Sequence, residues 1–191
     1  MPTIITSDGV RLNYADQGDG APIILIAGFC APLESWELQR AALADAGYRV
    51  IGLDRRSHGG SESPPFGQRI SRHGKDVYEV LAALDLTDAV LVGGSMGAST
   101  IWAYYDLFGA ERLRAVVTID QTPKMINDET WPYGFYGLTP GNVGTFFDDG
   151  IPATGRGLRG DRLVKTFDDC GHAANVDQPE LTNAAILEFV K

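Results

Sequence analysis

Gly93-Gly94-Ser95-Met96-Gly97 stands between an apolar run, residues 88–92, and a helical pattern, residues 97–108. The apolar run predicts a buried strand, and the pattern after it predicts a helix that Gly109 closes. A strand that turns into a helix over so few residues strains the backbone at the serine, and flanking glycines relieve the crowding. The stretch therefore predicts a sharp strand-to-helix turn with Ser95 at its apex.

Strand and helix patterns alternate on both sides of this turn. Continuous apolar runs predict buried strands, and the alternation of apolar and polar residues in residues 10–14 predicts a half-buried strand. Apolar residues that repeat every three to four positions predict helices. Such alternation predicts a doubly wound, mainly parallel α/β sheet with helices on both faces, in a single domain of residues 1–191. The predicted strands are residues 10–14, 22–27, 48–53, 88–92, 113–119 and 162–167, and the predicted helices are residues 36–46, 68–84, 97–108 and 179–190.

The carboxyl ends of these strands are where residues that carry out chemistry are expected. Ser95 would lie there at a helix N-terminus, with its hydroxyl raised above the sheet. The backbone N–H groups of Met96 and of Phe29, which follows strand 22–27, would point at a developing oxyanion. G-x-S-x-G in this setting is the pattern of a nucleophile elbow, so Ser95 is predicted to be a nucleophile.

A serine hydroxyl needs a neighbouring base to react near neutral pH, and the chain has three histidines. His172 follows the last predicted strand, on a loop at the same edge as Ser95, and is predicted to be the general base. His58 is expected to brace its own loop. His73 lies within a helical pattern and is expected at the surface.

Several carboxylates could orient His172. Asp120 ends strand 113–119 at the catalytic edge and is favoured, although it could instead fix the turn at residues 121–123. A chain without a competent acid is a further alternative. The other candidates are Asp148, Asp149, Asp161, Asp168 and Asp169, of which the last two lie awkwardly near His172 in the sequence.

Four motifs lie at the ends of predicted strands: Gly28-Phe29, residues 54–61 (Asp-Arg-Arg-Ser-His-Gly-Gly-Ser), residues 93–97, and Gly171-His172 with Pro179-Glu180 downstream. Together they resemble the α/β-hydrolase superfamily, most closely its bacterial esterase, haloperoxidase-like and lactonase members. The resemblance covers most of the chain. It implies a Ser–His–acid triad, no cofactor, and hydrolysis of a carboxylic ester or a lactone. The His that usually precedes the oxyanion glycine is Ala27 here.

Residues 121–160 depart from the superfamily pattern. They are rich in Gly, Pro and aromatic residues and are interpreted as the remnant of an inserted cap. Compared with the superfamily, a cap and one late strand are missing between Arg159 and Asp161. We therefore expect an open site that favours small or exposed acyl groups, and a homodimer would be a way to cover an apolar face that the cap leaves bare.

The composition argues against several classes of partner. The net charge is −9, so neither nucleic acid nor an anionic membrane is expected to bind. No metal-ligand spacing and no secretory signal pattern appear, so we expect no metal and a cytoplasmic location. Cys30 and Cys170 are expected to be buried free thiols. The expected partner is a small-molecule ester or lactone.

Two other functions fit the same scaffold. A binding protein that keeps the fold but has lost its acid would have no carboxylate near His172. Perhydrolysis and hydrolysis of a C–C bond are alternative reactions for the same serine.

Overall fold

A mainly parallel sheet lies at the centre of the computed structural model, which describes residues 1–135, 137–146, 148–149, 167 and 169–191. Its strands are β1 (Thr3–Ile5), β2 (Arg11–Gln17), β3 (Pro22–Ile26), β4 (Arg49–Leu53), β5 (Ala89–Gly94) and β6 (Leu113–Ile119). They lie in the order β1-β2-β4-β3-β5-β6. Strands β4, β3, β5 and β6 are parallel, and β2 and β1 add to β4 in antiparallel fashion. The carboxyl ends of the four parallel strands therefore meet at one edge.

Helices cover both faces of the sheet. They are a 3-10 helix (Leu33–Trp36), α1 (Glu37–Asp45), α2 (Ile70–Ala83), α3 (Met96–Phe108), α4 (Ala174–Asp177) and α5 (Pro179–Val190). In β3, Ile24 and Ile26 belong to a core shared with α2 and α3. Ile23 and Leu25 belong to a second core, shared with α1 and α5. The strand is apolar at every position because both of its faces are buried.

The predicted fold class is confirmed, with one difference in boundaries that matters for function. β5 continues through Gly93 and Gly94, and α3 begins at Met96, so Ser95 alone connects them. Neither β1 nor α4 is predicted from the sequence, because elements of 3 and 4 residues are too short to show a period.

The irregular stretch after β6 contains neither a helix nor a strand in its described residues up to position 149. They form turns and one isolated bridge between Asp128 and Trp131. The predicted strand 162–167 lies outside the described residues except for Phe167, which is not in a strand. The cap remnant and the domain limits therefore stay predictions. No helix in the described ranges is long and apolar enough to cross a membrane.

His73 is buried, which corrects the surface position expected from the sequence. It lies on α2 and is only 1% exposed. The helical pattern identifies the apolar face of α2, but the buried face is wider and includes a polar cluster beside Arg55. Burial, together with the charges of Arg55 and Arg56, lowers the pKa of His73 from its ordinary value of 6.5 to about 4. His73 is therefore neutral at neutral pH.

The buried His73 makes the stability of the fold dependent on pH. Between its two pKa values, 6.5 in the unfolded chain and about 4 in the fold, the unfolded chain binds more protons, so stability falls as the pH falls. From about pH 7.5 to about pH 5, His73 should lower the free energy of unfolding by about 2 kcal/mol. Urea denaturation of wild type and His73→Gln at both pH values measures this loss.

The His73→Gln variant should show a loss smaller by that amount, because glutamine does not titrate. Lys75→Gln, an exposed position on the same helix, is the matched control and should keep the wild-type loss. Equal losses in wild type and His73→Gln would contradict the buried neutral histidine.

Candidate active site

Ser95 occupies a strained turn at the carboxyl edge of the sheet. Its backbone has φ 50° and ψ −119°, a conformation that residues with side chains rarely adopt. The turn is held from the neighbouring strand, because the N–H of Ser95 donates to the carbonyl of Ile119 at 2.9 Å. Ser95 is half-buried. The strain therefore sits at the residue that the sequence predicts to be the nucleophile.

The glycines on either side of this turn are required by close approach. A Cβ at Gly97 would lie 2.1 Å from the carbonyl oxygen of Ile26, and one at Gly93 would lie 2.6 Å from the carbonyl carbon of Gly97. Real Cβ atoms do not come so close to backbone. The G-x-S-x-G spacing thus follows from packing the first turn of α3 directly against β5 and β3.

The backbone N–H groups of Phe29 and Met96 lie beside the turn and have no hydrogen-bond partner among the described residues. Met96 begins α3, so its N–H lies at the positive end of the helix dipole. Gly28, which precedes Phe29, faces the serine: a Cβ at Gly28 would lie 3.3 Å from Cβ of Ser95. The residues that carry both predicted donors therefore flank Ser95.

His172 is joined to the predicted acid. Its Nδ1 lies 2.5 Å from a carboxylate oxygen of Asp120. Asp120 directly follows β6, whose last residue, Ile119, pairs with Gly94. Because neighbouring strands lie about 5 Å apart, Asp120 and Ser95 are neighbours across the sheet edge. The carboxylate accepts, so Nδ1 of His172 carries a proton and Nε2 can accept another.

The Asp120–His172 pair is open to water. The side chain of Asp120 is 42% exposed and that of His172 is 55% exposed. Solvent weakens a hydrogen bond of this kind relative to a buried one. Among the other candidate acids, Asp148, Asp149 and Asp169 are exposed and form no hydrogen bond to the ring, while Asp161 and Asp168 lie outside the described residues.

Buried amides fasten the segment that carries His172. The side-chain amide of Asn175 donates to the backbone carbonyl of Ser35 at 2.8 Å, and the backbone carbonyl of Asn175 accepts from the side-chain amide of Gln39 at 2.9 Å. Gln39 is fully buried and Asn175 nearly so. Sequence reasoning misses this pair, because partners 136 positions apart leave no local pattern. The available sequence signal is a glutamine near the start of the predicted helix 36–46.

Arg55 lies buried between two histidines, beneath the loop that contains Gly28. Its guanidinium is 3.0 Å from Nε2 of His58 and 3.4 Å from Nδ1 of His73. Nδ1 of His58 lies 2.9 Å from the carbonyl of Arg56. His58 thus braces its loop, as expected. Burial lowers the pKa of Arg55 to about 10, so the guanidinium remains charged at neutral pH.

The two cysteines are free thiols, but the prediction that they are buried is wrong. Cys30 is exposed and Cys170 is half-buried. Both lie on loops at the carboxyl edge, where side chains are less enclosed than in the strands below. Burial raises the pKa of the Cys170 thiol, as do the charges of Asp177 and Asp120.

Known proteins similar to this chain share the fold. The family model for the alpha/beta hydrolase fold matches residues 21–170. A non-heme chloroperoxidase of Kitasatospora aureofaciens is 38% identical over 135 residues, which are 70% of this chain and 49% of that protein. A bifunctional epoxide hydrolase of Sus scrofa is 36% identical over 64% of this chain and 22% of its own length. The chain spans about half the length, or less, of these curated relatives.

Solved structures also show that this chain has the α/β-hydrolase fold. An esterase from Exiguobacterium antarcticum superposes with a TM-score of 0.66 at 29% identity, over 77% of this chain and 54% of that one. A bromoperoxidase from Bacillus anthracis superposes with a TM-score of 0.64 at 34% identity, over 76% and 52% of the two chains. From the family match, these likenesses and the sheet order, this chain belongs to the α/β-hydrolase fold family.

Proposed function

We propose that this chain is a serine hydrolase that cleaves a carboxylic ester or a lactone through an acyl-enzyme on Ser95. The observation that carries the proposal is a strained serine at a helix N-terminus whose neighbour across the sheet edge, Asp120, binds the ring of His172. A hydroxyl, a proton acceptor and an orienting carboxylate are the parts that acyl transfer needs. Similarity to an esterase supports the choice of substrate class.

The first half of the proposed reaction forms the acyl-enzyme. Nε2 of His172 takes the proton from Ser95 Oγ as Oγ attacks the ester carbonyl. The carbonyl oxygen becomes an oxyanion and accepts hydrogen bonds from the N–H groups of Phe29 and Met96. The C–O bond to the alcohol then breaks, and the alcohol leaves with the proton that His172 held.

The second half returns the enzyme to its starting state. Water attacks the acyl carbonyl and gives a proton to His172, and the same two N–H groups hold the second oxyanion. The bond between Ser95 and the acyl group breaks, the acid leaves, and Ser95 recovers its proton. Asp120 stabilises the imidazolium in both halves and keeps the tautomer that exposes Nε2.

Perhydrolysis is a second candidate, and the likeness to non-heme chloroperoxidases favours it. In this reaction hydrogen peroxide takes the place of water, attacks the acyl carbonyl on Ser95, and leaves as a peracid. The solvent exposure of the Asp120–His172 pair is compatible with a small competing nucleophile reaching the acyl-enzyme. Peracid formed from an ester in the presence of peroxide distinguishes this reaction from simple hydrolysis.

Replacing the nucleophile tests the proposal directly. The Ser95→Ala variant should lose both the burst with p-nitrophenyl acetate and labelling by a fluorophosphonate probe, because Oγ is the attacking atom. The Ser99→Ala variant, one turn further along α3, is the matched control and should keep both. Labelling that persists in Ser95→Ala would refute the role of Ser95. A wild type that is never labelled would favour a binding protein on the same fold.

Replacing the orienting carboxylate tests the second part of the triad. The Asp120→Asn variant should lower kcat/KM by about a thousandfold to ten-thousandfold, with the loss in kcat, because the amide supports the wrong tautomer of His172. Steady-state hydrolysis of p-nitrophenyl acetate measures it. Asp169→Asn, an exposed position near His172 in the sequence, is the control and should stay close to wild type. Full activity in Asp120→Asn would assign the acid elsewhere.

A further inference from the structure

Arg55 donates hydrogen bonds to the backbone of the loop beside Ser95. Its Nε donates to the carbonyl of Ala27 at 3.0 Å, and its Nη2 donates to the carbonyl of Gly28 at 2.7 Å. Arg55 is 2% exposed. No carboxylate among the described residues lies within ion-pair distance of it. Burying a cation without an anionic partner costs free energy, so the groups that Arg55 does contact indicate its role.

These contacts help to determine which way the peptide between Gly28 and Phe29 faces. The Gly28 carbonyl also accepts from the N–H of Ala31, but at 3.4 Å, a longer bond than the one from Arg55. The described chain contains no cis peptide bond, and in a trans peptide the carbonyl and the N–H point in opposite directions. With the Gly28 carbonyl held by Arg55, the N–H of Phe29 points away from the guanidinium. A flipped peptide would present the carbonyl oxygen where the N–H now lies, and would repel an oxyanion instead of binding it.

Two histidines hold the guanidinium in place. Arginine donates and never accepts, so Nε2 of His58 and Nδ1 of His73 must both accept from Arg55. The other nitrogen of His58 then donates to the carbonyl of Arg56. The pKa values of both histidines lie below the ordinary value, chiefly through burial. Because both rings are neutral, they do not neutralise the guanidinium, and its positive charge interacts with the loop carbonyls.

We propose that Arg55 is a positioning residue, which orients the Gly28–Phe29 peptide so that the N–H of Phe29 can bind the oxyanion. The catalytic part of this inference rests on the proposed acyl transfer at Ser95, whereas the orientation of the peptide does not. Arg55 acts through the loop and does not touch substrate. The guanidinium is planar and rigid and holds two adjacent carbonyls, so neither can rotate independently of the other. A donor that held only one carbonyl would allow such rotation.

The test compares Arg55→Met and Arg55→Lys with Arg56→Met. Methionine fills the apolar part of the site but holds neither carbonyl. Lysine keeps the charge but lacks the planar fork. Arg56 is the adjacent buried arginine, and it contacts the carboxylates of Asp76 and Asp8 and not the Gly28 loop. Its variant therefore reproduces the loss of a buried cation without disturbing the peptide.

In p-nitrophenyl acetate hydrolysis, Arg55→Met should lower kcat by about tenfold to a hundredfold with KM little changed, since loss of an oxyanion donor affects only the transition state. Arg55→Lys should recover part of that loss. Arg56→Met should unfold at a lower temperature but keep its kcat in the folded protein. Equal losses of kcat in Arg55→Met and Arg56→Met, or wild-type kcat in both Arg55 variants, would overturn the proposal.

A structural readout separates this inference from the proposed function. The crystal structure of Arg55→Met should show the Gly28–Phe29 peptide rotated or in two orientations, whereas Arg55→Lys should retain the wild-type orientation in part. An unchanged peptide in Arg55→Met would overturn the inference even in an active enzyme. Absence of fluorophosphonate labelling in wild type would instead refute the proposed function, and the peptide orientation would still decide the role of Arg55.

Discussion

The close approach of α3 to β3 and β5 is the constraint on which the site depends. Gly97 lies against the carbonyl of Ile26, and neither Gly97 nor Gly93 has room for a Cβ. The helix can begin at the strand end only if one residue makes the whole turn, and Ser95 therefore takes a positive φ. The same approach places the free N–H groups of the first helical turn beside the hydroxyl. Strain and electrostatics at Ser95 thus have one cause.

The parallel register of β5 and β6 places Asp120 beside Ser95 at the same edge of the sheet. Gly94 pairs with Ile119, and the next residue on each strand, Ser95 and Asp120, lies beyond the last pair at the same edge. His172 comes from 52 positions further along the chain and binds Asp120. Ordering so distant a segment costs entropy, and the buried bonds of Asn175 offset that cost because they fix the segment to the body of the fold.

The features that the sequence predicts correctly are those that depend on residues close together in the chain. Apolar runs predict the strands, since both faces of a parallel sheet are buried, and G-x-S-x-G predicts the turn at Ser95. The burial of His73 beside Arg55 and the hydrogen bonds of Asn175 arise from contacts between distant segments. Such contacts leave no periodic pattern in the sequence. The exposure of Cys30 is not predictable for a related reason: the sequence of a loop does not show whether other segments cover a small residue on it.

Three consecutive charged residues, Asp54, Arg55 and Arg56, are almost completely buried after β4, and each has different partners. Asp54 accepts from the N–H of Leu33 at 2.7 Å, at the start of the 3-10 helix whose Ser35 holds the His172 segment. Arg56 binds carboxylates on α2 and near β2. Arg55 holds the Gly28 loop. One short motif therefore supports both the loop that contains Gly28 and the segment that carries His172. This explains why charged residues are buried here, although apolar residues of similar size would often be as stable.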